Sequence, residues 1–433
     1  MTHRLPADSK RHASEHDSTK RRPTVPTCPS NPRRKSGSMT TTRSTFRTTR
    51  KATTVRAAMI AAMACSLALG SGVAAQAQPA TAPAPPATVQ GDEVIPPEPT
   101  EATPKAADQG IVPPSIDSAT PATSTYDPQT ETKGYGPAFT NFLAGFLYSV
   151  VNPDVAPQGA NDWNCKPSAA HPRPVVLLHG TWENAFNNFA RMSPSLKKEG
   201  YCVFALNYGD QDASAVGHLK SLRGTASVAS SAKEIATYVD AVRAATGSAQ
   251  VDIVGHSQGG LVTRQYLRFE GGANLADPTQ NKVNTVVSVA GSNHGTTLVG
   301  IGTLGRTINN LGLNVLGVVG AIAGPAASDQ VIDSPLVKGL AVGGDTDPGI
   351  NYTVIGTKYD EVVTPYKTTF LTAGPGATVK NVTLQDGCPI DLSDHLSISV
   401  SLRAIGIVKN ALDPKGFSTK SIPCAYNSPI TGG

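Results

Sequence analysis

The sequence predicts an α/β fold: a mostly parallel, doubly wound sheet with helices packed on both faces. Three observations predict it. From Gly134 onward, six short runs rich in β-branched residues recur, and several are apolar at successive rather than alternate positions. That pattern marks strands covered on both faces. Helical patterns lie between the runs, giving the strand–helix alternation of a parallel sheet. One run leads directly into a Gly-x-Ser-x-Gly turn followed by another helical pattern.

Taken in chain order, strands are expected at Pro174–Leu178, Tyr201–Leu206, Val251–Val254, Thr285–Val289, Tyr352–Ile355 and Val379–Leu384. Helices are expected at Phe186–Glu199, Val228–Thr246, Leu261–Phe269 and His395–Leu412. In the second of these, Ala232, Ile235, Ala236, Val239 and Val242 recur at helical spacing. The segment Leu298–Ala327 is harder to place. It carries Ile301, Leu304, Ile308, Leu311, Val315, Leu316, Val318, Val319 and Ile322, with Arg306 as its single charge. It also carries Gly300, Gly302, Gly305, Gly312, Gly317 and Gly320, each weakening a helix by up to roughly 1 kcal/mol. Two readings stand: a buried core helix, or a cap-like insertion, about 298–348, whose apolar face lines a pocket. The glycine content favours the cap.

Charge divides the chain. Its 433 residues hold 37 Lys+Arg and 32 Asp+Glu, a net of +5. Residues 1–77 contain 14 of the basic and 3 of the acidic residues, leaving 23 and 29 for the remainder. The basic excess therefore belongs to the leader and gives no reason to expect nucleic acid as a partner. That leader reads as an export signal. Arg43, Arg47, Arg50, Lys51 and Arg56 precede an apolar run from Ala57 to Leu69, and Ala75-Gln76-Ala77 offers a cleavage site. Met1 and Met39 are both possible starts. Ala62-Met63-Ala64 makes a poor lipid-attachment signal before Cys65. From Gln78 to Lys133 the chain is rich in Pro, Ala and Thr and too poor in large apolar residues to offset the entropy of ordering. It reads as a tether, and 134–433 as one sizeable domain.

The strongest chemical signal is Gly255-His256-Ser257-Gln258-Gly259, set between a strand and a helix. The turn is so sharp that Cβ atoms two residues either side of the serine would clash. It lifts the hydroxyl to a helix N-terminus, where free N–H groups favour developing negative charge. This context resembles the nucleophile turn of the α/β-hydrolase fold; the bland alternative is a chance match. In that fold an oxyanion is held by the N–H after the nucleophile and one from the loop after an earlier strand. Those donors would be the backbones of Gln258 and of Thr181, in His179-Gly180-Thr181. The bland alternative for the latter is a plain turn.

The acid should close a later strand. Asp360, after Asn351–Tyr359, fits best, with Glu361 its nearest rival and Asp345, Asp347, Asp386, Asp391 and Asp394 behind. The base follows by elimination. His171 lies in a Pro-flanked loop, His179 and His256 belong to the motifs above, and His218 and His294 come too early. Only His395 follows both Ser257 and Asp360, in the chain order this fold uses. These groups imply acyl transfer through an acyl-enzyme on Ser257, with no cofactor.

At this point the sequence resembles secreted actinobacterial lipases of the class 2 triacylglycerol lipase family, from about Gly159 to Cys424. The resemblance rests on Gly159-Ala-Asn-Asp-Trp-Asn-Cys165, His179-Gly180-Thr181, Gly200-Tyr-Cys202, Asn207-Tyr-Gly, Gly255-His-Ser257-Gln-Gly-Gly and Tyr359-Asp360-Glu-Val-Val-Thr-Pro. It implies Ser257, Asp360 and His395 as the catalytic residues and hydrolysis of acylglycerols or simpler esters outside the cell. The implied partner is a lipid or small ester, met at a lipid interface or the cell envelope, by a monomer. Leu298–Pro348 is least like the family. An envelope acyltransferase would use the same residues, and a non-catalytic envelope-binding protein is a further alternative.

Cys28 and Cys65 leave with the leader, and the remaining four suggest disulfides in an exported chain. In this fold the Pro174 and Tyr201 strands are parallel neighbours, so Cys165 and Cys202 lie near one sheet edge and are expected to pair. That leaves Cys388–Cys424 to clamp the C-terminal tail. No Cys/His pattern has zinc spacing, so no metal is expected.

Overall fold

The computed structural model describes residues 135–210, 219–311 and 324–433. The leader, the tether, His218 and residues 312–323 lie outside the described residues. Six strands form one sheet: β1 Val175–Leu178, β2 Val203–Leu206, β3 Val251–His256, β4 Val283–Val289, β5 Asn351–Gly356 and β6 Thr378–Thr383. Every neighbouring pair is parallel, in the order β2-β1-β3-β4-β5-β6. The chain winds outward to β2 and then reverses, so β1 lies beside β3. Ligands of open α/β sheets bind beyond the carboxyl ends of the strands at such a reversal.

The apolar runs have a direct packing reason. In β1, Val176 and Leu178 join a core with α4 (Val228–Thr246) and α5 (Gln258–Phe269). Val175 and Leu177 join the opposite core with α2 (Ala185–Phe189), α3 (Met192–Lys198) and α9 (Leu402–Leu412). All four side chains are fully buried, each worth about 1.5–3 kcal/mol of apolar transfer. The outer strand β6 is mostly exposed and carries Lys380 and Asn381.

Three expected helices have other limits in the structure, two of them for a local reason. The expected Phe186–Glu199 helix divides into α2 and α3. Pro194 lacks the N–H that a continuous helix would direct to the Ala190 carbonyl, and that carbonyl accepts from Phe139 N–H instead. The expected His395–Leu412 helix begins only at Leu402, because Ser401 is its N-cap and accepts from Ala404 N–H. A 3₁₀ turn, Ser397–Val400, precedes it. The Leu261–Phe269 helix starts earlier, at Gln258. By contrast Val228–Thr246 forms as expected, from an N-cap at Ser227 to a left-handed Gly247 with φ 76°.

Between β4 and β5 lie α6 (Leu298–Asn310), α7 (Pro325–Asp329) and α8 (Pro335–Ala341). Despite its glycines, the first part of the uncertain segment is helical. Ile301, Leu304, Ile308 and Leu311 form one buried stripe, packed with Trp182, Leu222, Val362, Val363 and Leu396. Phe142 and Phe146 of α1 (Phe142–Val151), a helix outside those expected from the sequence, join the same cluster. Two disulfides join the expected pairs, Cys165–Cys202 and Cys388–Cys424, with Cα separations of 5.7 and 5.3 Å.

Candidate active site

At the end of β3 the chain turns through Ser257, held at φ 53° and ψ −120°, and enters α5 at Gln258. The positive φ is strained for a side chain and is held by hydrogen bonds: Ser257 N–H donates to Val289 O, and Ser257 O accepts from Gly260 and Ser292. The two motif glycines are explained by space. A Cβ on Gly255 would lie 2.4 Å from the Gly259 carbonyl, and one on Gly259 would lie 2.2 Å from Leu178 O.

The structure brings three of the expected residues together. Ser257 Oγ lies 2.8 Å from His395 Nε2, and His395 Nδ1 lies 3.0 and 3.1 Å from the two oxygens of Asp360. Asp360 Oδ1 is fixed in turn by the N–H groups of Val362 (3.0 Å) and Val363 (2.7 Å). All three side chains are buried. Burial alone would push the His395 imidazole down. Asp360, as charge and hydrogen-bond acceptor, outweighs it with help from Glu361 and Glu183, and His395 is held up at about 9.

Each rival carboxylate is engaged elsewhere. Glu361, raised chiefly by burial, accepts from the backbone N–H of His395 at 3.3 Å rather than from its ring. Asp391 and Asp394 accept from Ser393 and Ser397 N–H, Asp386 faces Lys358, Asp347 pairs with Arg268, and Asp345 pairs with His294 at 2.8 Å. The other described histidines are likewise occupied. His171 stacks on Tyr201 and His179 on Tyr208. Burial holds His179 down at about 4, so its ring is neutral at ordinary pH.

Beside Ser257, the loop after β1 comes close at Gly180. A Cβ there would lie 3.0 Å from Ser257 Cβ and 2.3 Å from Glu183 Oε2. Thr181 follows, 1% exposed, with its hydroxyl accepting from Gln330 Nε2 at 2.7 Å. Gln330 also accepts from Ser292 Oγ at 2.9 Å, so one amide spans the β1 and β4 loops. Gln258 N–H is the first of α5 and has no intrahelical acceptor. Sequence reasoning passed over Gln330 and Glu183. For Glu183 a signal exists: it is the sole charged residue between Arg173 and Arg191.

Comparison with known proteins adds a family. The model of the class 2 lipases matches residues 172–393. Among solved structures, the chain is similar to Aspergillus fumigatus lipase B (18% identity, 59% of each chain covered, TM-score 0.42). It is also similar to the Legionella pneumophila phospholipase PlaB (18%, 43% of this chain and 39% of that one, 0.32). A third is the mature Bacillus licheniformis lipase BlEst2 (16%, 57% and 94%, 0.39). The chain thus spans 59% of the first of these and 39% of the second. The sheet order, the strained serine at the end of β3 and the matched span make this an α/β-hydrolase fold, and the chain belongs to the class 2 lipase family.

Proposed function

We propose that this chain is an exported hydrolase that cleaves carboxyl esters of lipids through an acyl-enzyme on Ser257. One observation carries the reading: a buried hydroxyl–imidazole–carboxylate line, Ser257–His395–Asp360, built on a strained turn at the sheet's topological reversal. His395 Nε2 accepts the Ser257 proton as the hydroxyl attacks the ester carbonyl, and Asp360 holds the other nitrogen as the donor and stabilises the imidazolium. The oxyanion lies against the N–H groups of Thr181 and Gln258, each worth roughly 3–4 kcal/mol by precedent. The imidazolium returns its proton to the leaving alkoxide, and water, activated by the same ring, releases the acid. The apolar cluster under α6 supports a lipid acyl group as the substrate's larger half, since Trp182, Val362 and Leu396 each adjoin or lie near a residue of the site. Ser257 is only 4% exposed, so substrate reaches it only when an element covering the serine gives way. The two disulfides support export.

The test is a panel of p-nitrophenyl esters from acetate to palmitate, run beside emulsified triglyceride. Ser257→Ala is expected to lose about 10⁴–10⁶ of kcat, and Asp360→Asn roughly 10⁴, both remaining folded. Greater damage from Glu361→Gln than from Asp360→Asn would overturn the choice of acid. Acyl transfer to an added alcohol or sugar, at the expense of hydrolysis, would replace the hydrolase reading with a transferase one.

A further inference from the structure

Behind the nucleophile lies a second carboxylate–imidazole pair that the steps above do not use. Glu183 and His256 are each 1% exposed. Glu183 Oε2 accepts from Gly180 N–H at 3.0 Å and lies 3.1 Å from His256 Nδ1. His256 Nε2 lies 2.8 Å from the backbone carbonyl of His395. A carbonyl oxygen only accepts, so Nε2 of His256 carries a hydrogen. Were Nδ1 bare, its lone pair would face a lone pair of the carboxylate at hydrogen-bond distance, 3.1 Å, in a buried site. One proton therefore bridges Nδ1 and Oε2. The Asn188 side-chain amide packs against the same atom, its nitrogen 2.9 Å from Nδ1.

The reach of the pair gives it a purpose. Gly180 precedes the Thr181 donor by one residue, His256 precedes Ser257 by one residue, and the third contact is the main chain of the base itself. We propose that Glu183 and His256 form a proton-sharing pair that positions the oxyanion loop, the nucleophile turn and the His395 backbone relative to one another. Both are positioning residues: neither reaches substrate. The rings of His256 and His395 lie 5.3 Å apart between centroids, so a displacement of one bears directly on the other. The proposal rests on the ester-hydrolase reading for its kinetic consequence alone, because the shared proton is a property of the resting protein.

Two measurements on the full chain test it. In proton NMR with ¹⁵N-labelled histidine, the wild type is expected to show two far-downfield imidazole protons bound to carboxylates. Asp360→Asn should remove one and Glu183→Gln the other. In kinetics with p-nitrophenyl butyrate, Glu183→Gln should lower kcat by about ten- to a hundred-fold with KM within about twofold, the signature of a reacting geometry displaced by a fraction of an ångström. The proposal is overturned if the wild type shows a bare Nδ1 on His256, a measurement that needs no variant to fold. It is equally overturned if Glu183→Gln retains kcat within twofold, or if its activity falls only in step with its unfolded fraction. A wild type that turns over no ester would instead refute the hydrolase reading and leave the NMR test standing.

Discussion

Replacing Gly300 by Ala probes how α6 is seated on the site. A Cβ at this position would lie 2.2 Å from the carbonyl oxygen of Val362 and 2.3 Å from Thr296 Oγ1, against an ordinary contact of 3.4 Å or more. Thr296 Oγ1 itself donates to that same carbonyl. The neighbour is backbone, so the clash cannot be relieved by a rotamer change; α6 and the Val362 peptide must part by about 1 Å. Val362 is two residues from the acid, and its N–H donates to Asp360 Oδ1, the oxygen 3.0 Å from His395 Nδ1. A shift of that size in the reacting geometry costs on the order of 10²-fold in rate, and overpacking of this kind costs about 1–3 kcal/mol of stability. Gly302, on the same helix, is the control. A Cβ there meets nothing closer than 3.9 Å, and Ala in its place should add up to roughly 1 kcal/mol by helix propensity. The assay is kcat on p-nitrophenyl acetate with thermal unfolding of both variants. Gly300→Ala should lose about 10²-fold in kcat and melt a few degrees lower, while Gly302→Ala keeps its rate within twofold and melts higher. Full activity in Gly300→Ala would refute the argument, because α6 could then withdraw from Val362 without disturbing Asp360. Equal losses in both variants would do the same, because contact with Val362 would not be the cause.

Three further predictions concern His395 and the disulfide that brackets it. In the proposed mechanism His395 must be neutral to accept the Ser257 proton, and Asp360, Glu361 and Glu183 hold it at about 9 in spite of burial; kcat/KM should therefore climb with pH through about 9, and a plateau already reached at pH 7 would contradict this. The sign for stability is opposite: the raised value stabilises the fold fully below the ordinary 6.5 and is lost as pH passes about 9, so urea midpoints should fall over the interval in which activity rises. Cys388–Cys424 closes a 36-residue separation that contains His395, worth on the order of 3–4 kcal/mol by loop closure. The double variant Cys388→Ser, Cys424→Ser should lose turnover at temperatures where circular dichroism still reports a native sheet, and simultaneous loss of both would show the bond to be a general brace instead.

What the chain discloses without its structure depends on whether a residue's role is set by neighbours in sequence or in space. The sheet was legible because parallel strands are buried on both faces, and that burial writes itself as consecutive apolar residues, as in Val175–Leu178. That Ser257, Asp360 and His395 would come together was legible because the fold has a fixed chain order of recognisable turns, and the structure brings those three side chains into one hydrogen-bonded line. Helix limits were legible where a cap coincided with the end of the periodic run, as at Ser227 and Gly247. They shifted where a proline or a serine cap interrupted an otherwise periodic run, at Pro194 and Ser401.

Glycine and buried charge are where sequence reasoning lost its footing, and for one physical reason. Gly300 reads as a helix weakener because propensity is all that a sequence discloses about it. In space it is the point where helix backbone meets the Val362 carbonyl, and a larger residue would not fit. Glu183 was passed over on the same grounds, since acidic side chains are rarely buried without a partner. Its partners, Gly180 N–H and the ring of His256, come from its own turn and from a strand 73 residues away. The clue was its isolation: a lone carboxylate in an uncharged stretch that leads out of a buried strand has to be paired or neutralised. The same test applies to Gln330, buried at 2% and bonded to Thr181 across 149 residues of chain. Residues of this kind set the precision of the site rather than its chemistry, and the contacts that define them exist only once the loops have closed.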